Sequence, residues 1–548
     1  MKRLDSVGAA ADIEWLNRET TARPLPLNIP DSFSREAIEF ARLALTRNRL
    51  LWSCHYAIDR FAPTLWVLAR RDCLPALIVC PPASLPTWKS VWDESLRELL
   101  PSNRELTVAE YGTKRCQNGV DVILLTYDRL KRRDVRDLAA LVQVVRAVIL
   151  DESHWAREET TQRYRAVAQL TGMLQSETPI IAISTQPVAN RTRELCVQLG
   201  LIGIDEAPLL DPARLRAMLA AHPDRVAHKL ADLGHVIHHG ESAVRDYLPA
   251  ITRRLIPVKI SAASRREIVH LQREFEEFLT TGNFSNPATL SAVPSRGDQR
   301  ARDTLALRTG SELSGMLVKA PRMDVFDKFS AALLLDQIRT ETARGKVAAA
   351  LVFIRKQMRS GSVLVMVEQR YLGERLAKDL KLPFIHGSMT PPQRRAICQQ
   401  FQDGEHPGLV LSIGLQNVPP LTQAAIVVVV DMPWNQALID RALRCVRRPG
   451  VGHDLTVYVL TDDEHGLEGF IRHLHAYKVV VAEALLQGID PSDDQLVAVL
   501  REGIALEAAG LHPDDWFKGA DFELRAPVRA VLSNHRPRTL AAKKNVAS

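Results

Sequence analysis

Between Gly8 and Gly112 the chain contains no glycine. That interval lacks the residue that enters left-handed backbone most readily, which excludes a glycine-rich loop wrapping closely around an anion. Cysteine is sparse: seven residues, at 54, 73, 80, 116, 196, 398 and 445, scattered and without a Cys-x-x-Cys pair. This speaks against a disulfide framework or a zinc site and for a reducing compartment, so the cytoplasm is expected. Long apolar runs are missing too, none reaching the roughly 18–20 residues of a membrane span. Met1-Lys2-Arg3-Leu4-Asp5-Ser6 carries charge with no apolar segment behind it, unlike a secretory signal. No membrane partner is expected.

What is present is a globular composition, 46% apolar and 25% charged over 548 residues. The formal net charge of +7 favours an acidic partner such as nucleic acid. Residues 1–30 read as a polar, proline-containing arm. From 31 to 205, short apolar runs alternate with amphipathic helices; the predicted strands are Ala76–Cys80, Val122–Leu125, Ala147–Leu150 and Ile180–Ile183. Continuous apolar strands, each followed by a helix, imply a parallel sheet covered on both faces. Residues 206–335 read as a charged helical insert with an exposed loop around 281–300. A second α/β pattern spans 336–465, with strands at Val363–Val367, Leu409–Ser412, Ala425–Val430 and Leu455–Leu460. Residues 466–548 read as a helical extension ending in a basic tail (Arg536, Arg538, Lys543, Lys544). The expected fold is α/β: two parallel-sheet lobes joined by a helical insert.

The order of short signals along the chain is more specific than any one of them. A strand runs into Pro81-Pro82-Ala83-Ser84-Leu85-Pro86-Thr87-Trp88; Thr126-Tyr127 follows another strand. Next come Asp151-Glu152-Ser153-His154 at a strand end, then Ser184-Thr185-Gln186-Pro187. This ordered set resembles the SNF2-type branch of superfamily 2 helicase-like ATPases. Within that branch it looks most like the annealing-helicase group of fork-remodelling translocases. The resemblance covers about residues 31–465 and implies RecA-like lobes. It implies that Asp151 descends from a magnesium ligand and Glu152 from the residue orienting the attacking water, in a DEAH-like box. It also makes Ser84, Thr126 and Tyr127 candidates for contact with nucleic-acid phosphates. Ser84 reads equally well as a cap on the following helix.

Against that family pattern, the elements that hold nucleotide are degraded. Ser34 stands where a glutamine would read adenine, and is too short for the paired contact. Asp59-Arg60-Phe61 stands where Gly-Lys-Thr is expected, in a loop without glycine. Phenylalanine cannot ligate magnesium, Asp59 places a negative charge where phosphates would sit, and Arg60 keeps a cation of different shape. Thr64 offers only a shifted hydroxyl behind Pro63. The coupling element Thr-Gly-Thr-Pro has become Ser184-Thr185-Gln186-Pro187.

The second lobe opens at Lys346. Its Phe384-Ile385-His386-Gly387-Ser388-Met389-Thr390-Pro391 resembles the family's Gly-Ser turn and helix start, making His386 and Ser388 candidate backbone contacts. Equally, Gly387 and Ser388 read as a strand end and Pro391 as a helix start. Ser412 and Asn417 are candidate phosphate contacts in a loop where Asn417-Val418-Pro419 replaces Gly-Val-Gly. A basic helix carrying Arg441, Arg444, Arg447 and Arg448 suits phosphate, or is simply a solvated face. Aligned with the family, Cys445 replaces one arginine finger and Arg448 retains the other.

These readings converge on a DNA-binding pseudo-ATPase, a scaffolding subunit on duplex or branched DNA. It would need no cofactor, would be nucleoid-associated if bacterial or viral, and could sit beside an active helicase or a replication or repair protein. The alternatives are an active Mg-ATP-dependent translocase with an unusual phosphate site, and a protein-interaction module on a helicase fold.

Overall fold

The computed structural model describes residues 29–91, 106–112, 119–281, 324–415, 418–462 and 467–508. The N-terminal arm to residue 28, the loop around 282–300, Asn417 and the basic tail lie outside the described residues. Two compact units are present, residues 1–246 with 477–504 and residues 247–476 with 505–548.

The first unit holds a parallel sheet of β1 (Arg49–Cys54), β2 (Ala76–Cys80), β3 (Val108–Glu110), β4 (Val122–Thr126), β5 (Ala147–Asp151), β6 (Ile180–Ser184) and β7 (Val236–His239). Their order is β3-β4-β2-β5-β6-β1-β7. β2, β4, β5 and β6 are buried at every position. That burial explains their unbroken apolar runs: both faces of the sheet are covered, so no polar alternation is needed.

The second unit holds a parallel sheet of β8 (Ile251–Val258), β9 (Val363–Val367), β10 (Phe384–Ile385), β11 (Gly408–Ser412), β12 (Ile426–Val429) and β13 (Leu455–Asp462), ordered β10-β11-β9-β12-β13-β8. Alternate residues feed two cores. Leu364, Met366, Leu409, Leu411, Val427 and Val429 enter one; Val363, Val365, Val367, Val410 and Val428 enter the other. Buried Lys346, on the helix Asp324–Gln357, donates to the carbonyls of Val430 and Leu460 and pairs with Glu468, pinning strand ends together. On the same helix, a Cβ at Gly345 would fall 2.3 Å from Ile260 Cγ2, so only glycine permits this approach. Both lobes are parallel α/β sheets, as the strand pattern implies.

The helical insert needs correction. Residues 206–246 bring the helices Pro212–Ala221 and Arg225–Asp232 and then β7 to the first sheet; β8 joins the second sheet beside β13. Neither strand announces itself. β7 is short and ends in two histidines, and β8 is a mostly exposed edge strand carrying Arg253 and Arg254. An edge strand with one open side has little apolar burial to write into the sequence. The C-terminal extension is divided too, its residues 477–504 grouping with the first unit. Among the described residues no helix is long and apolar enough to cross a membrane.

Candidate functional site

In open parallel sheets, ligands gather at the carboxyl ends of the strands. In the first unit, the carboxyl ends of β1, β2, β4, β5 and β6 converge on one pair of carboxylates. Asp151 closes β5 and is wholly buried. Glu152 follows at φ +53°, a left-handed conformation unusual for a residue with a Cβ. Holding it there costs about 1 kcal/mol or more. The turn it forms opens the short helix Ser153–Ala156, with Trp155 N–H donating to the Glu152 carbonyl at 2.9 Å.

Arg60, beyond the end of β1, is the residue that faces this pair. Its Nε donates to Asp151 Oδ1 at 2.8 Å and its Nη2 to Glu152 Oε1 at 3.1 Å. The guanidinium is buried, with 10% of the side chain exposed. Burial opposes its charge, but the two adjacent carboxylates outweigh that and hold its pKa above the ordinary arginine value. From β2, the wholly buried Trp88 donates its indole N–H to the other Asp151 oxygen at 3.0 Å. From β6, the Thr185 N–H and hydroxyl donate to Glu152 Oε2 at 3.0 and 2.7 Å. His154 Nδ1 lies 3.3 Å from that same oxygen and 3.0 Å from Ser184 Oγ. All four carboxylate oxygens of the box therefore have protein partners.

The loop before the helix Phe61–Arg70 is built by its own side chains. The Asp59 carboxylate accepts the Phe61 N–H at 2.9 Å, putting an anion on the helix N-terminus. Asp59 is exposed, so it is not a charge desolvated in a phosphate pocket. Thr64, suggested as a shifted magnesium ligand, is wholly buried and donates its hydroxyl to the Arg60 carbonyl at 2.6 Å. The Phe61 ring packs edge-on to Trp88 at 4.7 Å, and the Arg60 guanidinium lies 4.6 Å from the Phe61 ring centre. Ser34 is an ordinary N-cap, its hydroxyl accepting from Ala37 N–H on the helix Arg35–Thr46.

The first-lobe candidates for nucleic-acid contact are all buried. Tyr127 is wholly so, and its hydroxyl donates to the Asp151 carbonyl at 3.0 Å. Burial holds its pKa well above the ordinary phenol value. It thus supports the carboxylate box from below instead of facing a phosphate. Thr126 caps the helix Tyr127–Leu130 by accepting from Arg129 N–H. Ser84 sits at the start of the helix Leu85–Ser90 without a side-chain cap bond.

The second unit presents a different surface. Ser388, exposed, lies 2.9 Å from His386 Nδ1 and accepts from Arg370 at 3.2 Å, while Arg394 donates to the Gly387 carbonyl at 2.7 Å. Thr390 and Gln393 form a reciprocal capping box on the helix Pro391–Gln402. Partial burial, and then the neighbouring Arg370 and Arg394, hold the His386 pKa below the usual imidazole value. Arg394 falls within the stretch that resembles the family's turn and helix start, where only His386 and Ser388 are singled out, and Arg370 lies outside it on the helix Arg370–Leu380. Ser412 ends β11, half-buried.

The expected basic helix is shorter than its charges suggest. It runs only from Gln436 to Leu443; Arg441 lies on it, while Arg444 and Arg448 follow in the turn and beyond. Arg447 is buried and donates to the Pro249 carbonyl at 2.8 Å, a structural bond. Cys445, at the finger position, is buried among apolar side chains, which pushes its thiol up to about 12. Among the described residues no group of three or more His, Cys, Asp or Glu is arranged to hold a metal.

Two family models match in tandem: the SNF2-related domain over residues 12–275 and the helicase conserved C-terminal domain over 333–449. The chain belongs to the SNF2-type helicase-like family. YwqA of Bacillus subtilis (strain 168), named as a candidate ATP-dependent helicase/translocase, is 25% identical over 421 residues. That match takes in 71% of this SNF2-type chain and 40% of YwqA, so the chain spans less than half the relative's length. Among solved structures, the SWI2/SNF2 ATPase core of Sulfolobus solfataricus in complex with dsDNA matches at 18% identity, covering 88% of this chain and 99% of that one, with a TM-score of 0.34.

Proposed function

We propose that this SNF2-type chain is a pseudo-ATPase: a DNA-binding subunit that engages duplex or branched DNA without hydrolysing ATP, in the cytoplasm or on the nucleoid. The observation that carries the reading is the Arg60 fork on Asp151 and Glu152. A magnesium ion held by Asp151 would have to displace a buried guanidinium, and a water oriented by Glu152 would find both its oxygens engaged. The residues present do not suit Mg-ATP: Phe61 stands in place of the ligating hydroxyl, and Asp59 rather than a phosphate receives the helix N–H. DNA binding is supported by family membership and by the cluster of exposed Ser388 and Arg370 with half-buried His386 and Arg394, whose donors suit phosphate oxygens regardless of base sequence. The preference for branched DNA rests on the likeness to fork-remodelling translocases alone.

The test is ATP hydrolysis with fork DNA, comparing the parent with Glu152→Gln. We expect no DNA-stimulated turnover in either, together with retarded migration of forked and duplex DNA that weakens steeply with salt. Turnover abolished by Glu152→Gln sinks the pseudo-ATPase reading in favour of an active translocase, the activity for which YwqA is named. Absence of any salt-sensitive DNA binding leaves a protein-interaction role, with a helicase or a replication or repair protein as the partner to seek.

A further inference from the structure

We propose that the open side of β8 is a docking strand for an extended acidic segment of a partner protein, added to the second sheet by main-chain hydrogen bonds. The inference goes beyond the pseudo-ATPase reading and does not depend on whether ATP is hydrolysed.

Register decides which main-chain groups face outward. Leu455 stands opposite Ile251, and its N–H donates to the Ala250 carbonyl at 2.8 Å. In a parallel ladder that bond makes the even-numbered residues of β8 the ones joined to β13, so the odd-numbered ones turn N–H and C=O to the open side. Arg253 and Leu255 each offer both groups there, and among the described residues neither main chain has a partner on that side. Pro257, next in that set, has no N–H to leave stranded; it ends the open row without breaking the ladder to β13.

The side chains along this edge identify the occupant. Four consecutive residues read Arg253-Arg254-Leu255-Ile256, the first three exposed, with Leu255 at 52%. Arg253 pairs at the surface with Asp440 at 2.7 Å, and Arg254 has no ion pair among the described residues. Arg254 stands opposite Tyr458, a half-buried ring that meets Phe353 edge-on at 5.1 Å; Ile256 is half-buried against the same core. A strand added here meets two cations and then two apolar side chains, so its complement is two acidic residues beside two apolar ones. A second copy of the chain would set arginine against arginine or against leucine, leaving the charges unmatched. Duplex DNA would bring phosphate oxygens that only accept, and the open row alternates donors with carbonyls that repel them.

The experiment uses the full chain and two fluorescein-labelled peptides, Ser-Asp-Glu-Val-Ile-Ser and Ser-Ile-Val-Glu-Asp-Ser, because parallel and antiparallel addition require opposite orders. Binding is followed by fluorescence anisotropy. One of the two should bind with a Kd below about 1 mM, and its Asn/Gln counterpart about fivefold or more weakly than that. Arg254→Glu should weaken the acidic peptide by about tenfold or more, with unfolding unchanged, and should improve binding of the version carrying lysines in place of the acids. N-methylation of alternate peptide amides separates strand addition from charge attraction alone. Methylating the set turned to β8 should abolish binding, whereas methylating the other set should change it by less than about twofold. That comparison needs no protein variant, so it decides alone should Arg254→Glu fail to fold. The proposal is overturned if neither peptide binds, if the two methylated sets bind alike, or if Arg254→Glu leaves peptide affinity unchanged. It also falls if the peptides stay unbound while Arg254→Glu dissolves a dimer seen by sedimentation or lowers affinity for duplex DNA, since the edge then serves a second copy or DNA. Neither ATP nor DNA enters the peptide measurement, so its outcome is independent of the hydrolysis test.

Discussion

Asp151→Asn distinguishes a structural carboxylate from a catalytic one, and the geometry sets its cost. Asp151 is wholly buried and accepts from two different donors, Arg60 Nε at 2.8 Å on one oxygen and Trp88 Nε1 at 3.0 Å on the other. Asparagine has the same shape but one acceptor. Whichever way the amide turns, its NH2 points at an N–H donor, and Arg60 loses one of its two countercharges. Removing one partner of a buried ion pair costs about 3–5 kcal/mol, and stranding a buried donor about 1–3. The amide satisfies one donor and Arg60 keeps Glu152, so the lower part of the combined range applies, about 3 kcal/mol. That corresponds to a loss of about 6–12 °C in melting temperature for a unit of this size. Urea unfolding followed by circular dichroism measures it, a readout that does not depend on the indole at the site. Trp88→Phe supplies the control. With the indole N–H gone, the amide can give its oxygen to Arg60 and turn its NH2 toward an apolar ring. Asp151→Asn should then cost about 1 kcal/mol less in the Trp88→Phe background than in the parent. If Asp151→Asn is as stable as the parent, or more so, the reasoning fails. That result is the one expected of a carboxylate held unpaired for a metal.

Two further outcomes test other parts of the molecule. Arg370→Ala with Arg394→Ala should weaken DNA binding equally across sequences and flatten the dependence of log affinity on log salt by up to about 2, while leaving unfolding nearly unchanged. His238 is half-buried beside Ser53, its Nδ1 2.8 Å from the hydroxyl, and desolvation pushes its pKa down to about 4. In the unfolded chain the ordinary value of about 6.5 returns, so the unfolded state takes up a proton that the folded state refuses. Stability from this group is complete above pH 6.5 and falls away as pH drops toward 4, by on the order of 3 kcal/mol. Urea midpoints at pH 7 and pH 5 should converge in His238→Asn relative to the parent.

The sheets were legible because their strands are buried on both faces. β2 and β9 match the predicted bounds outright, and the other long apolar runs match within one or two residues. β7 and β8 were hidden by the same physics: a short strand of two apolar residues and two histidines, and an exposed edge strand with two arginines, have no apolar run to display. At the site, the degraded loop could be read from missing glycines, but the partner of Arg60 could not be read from spacing. Residues 60, 151 and 152 are far apart in sequence and meet only because β1, β5 and β6 are neighbours. A signal was present all the same. Two adjacent carboxylates retained at a buried strand end, in a chain without a phosphate loop, demand a cation from somewhere. Arg60 was the one charged residue kept at the position where the family has its lysine. Tyr127 shows the reverse error, since a hydroxyl at a motif position was read as a surface contact when the fold needed it under the Asp151 carbonyl.

Pairing the box through Arg60 also fixes the element on the neighbouring strand. Glu152 divides its oxygens between Arg60, from the loop after β1, and Thr185, from the loop after β6. Three loops on adjacent strands are therefore tied through one carboxylate, with its left-handed backbone held in place from both sides. In a machine that turns over nucleotide, the links between these loops are made and broken as magnesium and phosphates come and go. Here the linking charges are covalent parts of the chain and have no bound form and free form to alternate between. A ligand shifts an equilibrium only by its differential affinity for two states. If ATP has no place to bind, the first lobe has one state with respect to it. DNA affinity of the parent should then be the same with and without Mg-ATP, and a change of more than about threefold would mean that the Arg60 fork opens.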